Sequence, residues 1–198
     1  GDDGNGTVKV TVLPNITTEK RSAEIIIRLG RAEQRLSFVQ HASDMEPCGE
    51  EEVRRFLEKL YQAVDVCEGL MQEPDSPILG LHIEGPYLNP KMAGSQYEGF
   101  LKTPDENEYI PLLEHTSCIK RWDISPELRG AHDFAKYTRS KGIMTAVTHT
   151  EAEYDEIKAA YAVGFSHAAH FYNAMPGFHK RREYKYEGTV ESVYPVSY

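Results

Sequence analysis

The chain has 198 residues, a formal net charge of −9 at pH 7, and 40% hydrophobic and 27% charged residues. That is the composition of a globular protein holding one medium domain or two small ones. The acidic balance argues against nucleic acid or an anionic membrane as the main partner, and no stretch approaches the roughly 20 apolar residues that span a bilayer. The three cysteines, Cys48, Cys67 and Cys118, are too few and too scattered for a disulfide framework or a Cys-rich zinc site, and fit a reducing compartment. No signal-peptide pattern is present, and the start Gly1-Asp2-Asp3 lacks a methionine, as a processed end would.

Residues 7–13 alternate polar and apolar side chains, and residues 23–29 and 35–40 read as two further strands with polar turns between them. Together they predict a small antiparallel β meander, marginal on its own because it offers little apolar area. A module boundary is expected near residue 44, giving segments 1–44 and 45–198. Residues 50–72 then carry Val53, Phe56, Leu57, Leu60, Tyr61, Val64 and Leu70 at helical spacing. The apolar run 77–83 predicts a buried strand that stops at Glu84, where Gly85-Pro86 forces a turn. A helical segment is expected at 108–115 and a strand at 119–124. Ser125 as N-cap and Pro126 in the first turn predict a helix to Ser140 that ends at Gly142. Residues 143–148 read as a strand, 151–162 as a helix closed by Gly164, and 165–169 as the last clear strand. The tail from Met175 shows Lys180-Arg181-Arg182 and several tyrosines, with no second helical pair.

Repeated βα units imply a parallel sheet with helices outside it. Four such units fall short of the eight strands and about 250 residues of a closed barrel. The expected fold class is therefore α/β: a partial TIM-type (β/α) barrel of about four parallel units, preceded by the meander.

Three of the predicted strands end in chemistry: Glu84, His149 in Thr148-His149-Thr150, and His170 in His170-Phe171-Tyr172-Asn173. A lone Glu or His at a strand end is commonly a turn or surface residue. At equivalent positions of successive βα units, however, the tips converge on one face. One carboxylate and two imidazoles there would make a three-ligand metal site with a coordination position open to water.

His82-Ile83-Glu84-Gly85-Pro86-Tyr87, Thr148-His149-Thr150 and His170-Phe171-Tyr172-Asn173-Ala174-Met175, in this order and at these separations, resemble the signatures of N-acetylglucosamine-6-phosphate deacetylases, metal-dependent amidohydrolases built on a TIM barrel. The resemblance covers roughly residues 46–192. It implies that Glu84, His149 and His170 hold one divalent metal ion, zinc by family habit. It also implies hydrolysis of the N-acetyl group of N-acetylglucosamine 6-phosphate to glucosamine 6-phosphate and acetate, in the cytoplasm. Gln96 resembles the family's substrate-contacting loop residue, and Asn173 and Ala174 resemble its phosphate-side contacts. Arg181 or Arg182 resembles its phosphate clamp, a task suited to a planar fork of donors; a solvated basic run is the other reading of 179–182. His82 and His167 read as packing or ligand-supporting residues. The region of the family's catalytic aspartate lies beyond Tyr198, so no catalytic residue is assigned here and the activity of this chain alone is in question. An amino-sugar phosphate is the implied small-molecule partner, and uncovered sheet edges would favour homo-oligomers.

Residues 7–42 resemble, more faintly, the second half of a BACON domain, a β-sandwich module of exported Bacteroidetes proteins. Two parts of different cellular address suggest a fusion or a rearranged gene. The alternative function is a non-catalytic binding or interaction protein that works through the N-terminal β module.

Overall fold

The computed structural model describes residues 21–29, 32–40 and 50–196. The chain divides into two compact units, residues 1–79 with 95–100 and residues 80–94 with 101–198.

In the first unit, β1 (Arg21–Leu29) and β2 (Ala32–Gln40) pair antiparallel, with Arg21 opposite Gln40 and Leu29 opposite Ala32. The last two strands of the expected meander are these; residues 7–13 lie outside the described residues. Helix α1 (Glu50–Met71) follows. It buries Val64, Cys67 and Leu70, spaced by three residues, as an amphipathic helix does. Its Phe56 stacks on Phe100 at 6.0 Å between ring centroids.

The second unit alternates strand and helix: β3 (Leu81–Glu84), α2 (Glu106–His115), β4 (Ile119–Ile124), α3 (Ala131–Ser140), β5 (Met144–Val147), α4 (Tyr154–Val163) and β6 (Phe165–Ala168). All neighbours in the sheet β3-β4-β5-β6 are parallel, as the repeated βα units require. Strand alternation sends Trp122 and Ile124 to one face and Arg121 and Asp123 to the other. Trp122 lies 5.7 Å from Tyr87 and 5.2 Å from Phe134 of α3, and Phe134 meets Tyr109 of α2 at 4.9 Å. All four rings are buried, so the core sits between the sheet and its helices, held by offset and edge-to-face contacts.

Four local expectations need correction. Strand β3 starts at Leu81 instead of 77, because the ladder begins where Leu81 N donates to the Cys118 carbonyl at 2.7 Å. At Gly80, φ is +149° and a Cβ would fall 2.4 Å from that carbonyl oxygen, so only glycine admits the approach. Helix α2 begins at Glu106, where Asp105 accepts from Asn107 N at 2.9 Å. Ser125 does not cap α3: its hydroxyl is fully buried among strand-tip loops, and the helix starts after Gly130 at φ +87°. The tail forms a hairpin, β7 (His179–Arg181) with β8 (Tyr184–Tyr186), and a helix, α5 (Thr189–Val196).

Candidate metal centre

Glu84 is the last residue of β3, while His149 and His170 each lie two residues past the ends of β5 and β6. Parallel strands place these tips on one edge of the sheet. Both histidines adopt left-handed backbone, φ +42° for His149 and +28° for His170. A non-glycine residue held there costs on the order of 1–3 kcal/mol and persists where its surroundings over-determine it, a state that clusters at functional sites.

Glu84 Oε1 lies 3.0 Å from His149 Nε2 and 2.9 Å from His170 Nε2. The three candidate ligand atoms lie within 4.8 Å of one another, and the imidazoles meet edge to face at 4.9 Å. His149 Nδ1 faces the Met92 carbonyl at 2.6 Å and His170 Nδ1 faces the Asn173 carbonyl at 3.1 Å. A carbonyl can only accept, so both Nδ1 atoms carry protons. In the neutral rings both Nε2 atoms are then bare lone pairs aimed at a carboxylate oxygen. What completes such a cluster is a positive charge, either a proton on a ring or a metal ion. Nitrogen and carboxylate donors of this kind suit zinc and its first-row neighbours, and the Nδ1–carbonyl bonds are the supports that usually orient histidine ligands. The Thr148 hydroxyl, 3.0 Å from His170 Nε2, competes for that lone pair.

Electrostatics agree. The hydrogen bond from His149, opposed by partial burial and reinforced by His170, holds the Glu84 carboxyl down at about 2. Burial works against a charged His149, yet the Glu84 carboxylate and the Met92 carbonyl outweigh it and raise its pKa. Gly94, at φ +58°, lets the loop after β3 press on this ring: a Cβ there would sit 3.3 Å from His149 Cε1.

No family model matches the chain. Among curated proteins it is similar to the N-acetylglucosamine-6-phosphate deacetylase of Haemophilus influenzae, 31% identical over 138 residues that are 67% of this chain and 35% of the relative. The Bacillus subtilis deacetylase of the same name is 30% identical over 105 residues, 52% of this chain and 26% of its own. The crystal structure of the Pasteurella multocida deacetylase superposes with a TM-score of 0.63 at 27% identity, covering 69% of this chain and 35% of that one. The chain carries a segment of the N-acetylglucosamine-6-phosphate deacetylase family. It spans about a quarter to a third of the length of these curated relatives, and its four βα units are part of a TIM-type barrel. A mutant of the Mycobacterium smegmatis deacetylase, solved in complex with N-acetyl-D-glucosamine-6-phosphate, superposes with a TM-score of 0.57.

Within the deacetylase segment the other expected site residues take varied places. Asn173 is exposed; its backbone holds His170 through both N–H and carbonyl. Ala174, at φ +52°, accepts from Thr150 N at 3.1 Å. Arg181, on β7, is ion-paired with Glu153 and lies 5.0 Å above the Tyr186 ring. Gln96 is half-buried in the first unit, just before a short helical turn at Glu98–Phe100. His82 bonds Asp123 Oδ2 at 2.7 Å, while His167 is exposed beside Ser166. Sequence reasoning missed the Met92 carbonyl and the Thr148 hydroxyl. It also missed fully buried Asp123, which Arg121 grips at 2.6 and 2.9 Å; the one available signal was a carboxylate inside an otherwise strand-like run.

Proposed function

We propose that Glu84, His149 and His170 bind one divalent cation, zinc in the first instance, and that this centre belongs to a hydrolase that removes the acetyl group from N-acetylglucosamine 6-phosphate. The observation that carries the reading is the convergence of two Nε2 lone pairs on the Glu84 carboxylate, each ring fixed from behind by a carbonyl. A bound cation would polarise the amide carbonyl and lower the pKa of water. The chain's own part is to supply one anionic and two neutral ligands and to keep the rings aimed. Water adds to the acetyl carbon, the C–N bond breaks, and acetate and the amine leave.

In the same proposal Gln96, Asn173 and Ala174 contact the sugar phosphate. Arg181 clamps the phosphate by exchanging its Glu153 partner for the ligand, with Arg182 as its neighbouring substitute. The catalytic aspartate is placed outside these 198 residues, so metal binding with weak or no turnover is expected of this chain alone. Among the described residues no helix is long and apolar enough to cross a membrane, and the reading places the deacetylase segment in the cytoplasm. Residues 1–44 are taken as a separate, BACON-like module. Self-association through the edge strands β3 and β6 completes the reading.

Elemental analysis after dialysis against zinc tests it. Close to one zinc per chain is expected, lost in Glu84→Ala, His149→Ala and His170→Ala. Full retention in all three variants would refute the site.

A further inference from the structure

One carboxylate beside the triad has no part in metal binding. Glu127 follows β4 and accepts three hydrogen bonds from neutral donors: Asn89 Nδ2 at 2.8 Å, the Glu151 backbone N–H at 3.0 Å, and the Thr150 hydroxyl. Asn89 belongs to the loop after β3, which also carries the Met92 carbonyl. Thr150 and Glu151 directly follow His149. Ser125 ties the same loops at a second point. Its oxygen accepts from Asn89 N at 2.7 Å, and its hydroxyl proton is shared between the His149 carbonyl at 2.6 Å and the Thr148 carbonyl at 3.1 Å.

The left-handed backbone of His149 is thus held between two anchors: the Thr148 and His149 carbonyls by Ser125, and residues 150 and 151 by Glu127. We propose that Glu127 is a positioning residue, which joins the loops after β3, β4 and β5 so that His149 Nε2 stays aimed at Glu84. A carboxylate is suited to the task, since hydrogen bonds to an ionised acceptor are about twice as strong as neutral ones and its two oxygens serve three donors at once. Released from this tether, residues 149–151 would relax toward ordinary backbone angles, turning the ring away from both Met92 and Glu84. The consequence for metal affinity rests on the proposed metal centre; the orientation of the ring does not.

The test uses the full chain as wild type, Glu127→Ala, Glu127→Gln and Thr150→Val, with urea unfolding to confirm a fold. Cobalt(II) affinity is read by chelator competition, and site geometry by the cobalt visible spectrum. The His149 tautomer is read in metal-free protein from imidazole nitrogen shifts at alkaline pH. Glu127→Ala is expected to lose about 10–100-fold in cobalt affinity, the usual effect of removing a ligand's support. It should also change the spectrum and convert His149 from the Nδ1–H form to a mixture. Glu127→Gln, of the same shape, should recover most of the affinity. If Glu127→Ala does not fold, Thr150→Val, which deletes one of the three bonds, should show a smaller loss in the same direction. Wild-type affinity, spectrum and tautomer in the folded variants would overturn the proposal. A wild-type chain that takes no cobalt would defeat the metal reading alone, and the metal-free tautomer would still decide for or against Glu127.

Discussion

Protonating Glu84 should cost the metal-free protein measurable stability over a defined acid range. Its carboxyl, held between two imidazoles, titrates at about 2 instead of 4.5. At about 1.36 kcal/mol per pH unit of displacement the ceiling is about 3 kcal/mol. The Glu84 side chain is 24% exposed, and solvent screening reduces this to roughly 1–2 kcal/mol. A depressed carboxyl stabilises the fold fully above its unfolded value of 4.5, and the contribution disappears as pH falls through about 2. His149 acts on the opposite limb. Its pKa is raised, so its contribution is complete below the ordinary 6.5 and is lost as pH rises through the folded value. Urea unfolding in the presence of a chelator, from about pH 6 to about pH 2, should show wild type more stable than Glu84→Gln at the upper end, with the gap closing toward the lower end. A gap that stays constant with pH, or is absent throughout, would refute the coupled carboxylate–imidazole cluster.

Gly94→Ala places a methyl group 3.3 Å from His149 Cε1 on a backbone at φ +58°. It should cost about 1–2 kcal/mol of stability and weaken cobalt binding; unchanged affinity in a titration would contradict the close approach. Phe134→Ala removes a fully buried ring that touches Tyr87, Tyr109 and Trp122. A loss of about 3–5 kcal/mol is expected in urea unfolding, and a loss below about 1 kcal/mol would show that the aromatic core is misplaced.

The convergence at Glu84, His149 and His170 was legible because parallel βα units turn a linear spacing into a shared edge. The Gly164 close of helix α4 and the limits of β4 were legible for local reasons, while α4 starts at Tyr154 instead of residue 151 because Glu153 and Glu156 form its capping box. Ser125 was misread because Ser-Pro-Glu before a helical stretch has the local form of an N-cap. What redirects its hydroxyl is the His149 carbonyl, distant in sequence. The Met92 carbonyl was invisible for a different reason: any residue could have supplied it. Residues 179–182, read as a phosphate clamp or a solvated basic run, lie on a largely exposed hairpin with Lys180 directly opposite Lys185 and His179 stacked on Tyr186. Cross-strand register of that kind carries little signal in composition.

The single tryptophan of the chain, Trp122, is 1% exposed and donates its indole N–H to the Gly85 carbonyl at 2.8 Å, one residue beyond Glu84. The molecule thus contains its own optical probe, wired to the tip of β3 by one bond. Emission from a dry indole is blue-shifted and will redden when that tip opens, so fluorescence follows the second unit while circular dichroism follows the helices of both. A mismatch between the two signals during unfolding would separate the units in solution without a label or a cut.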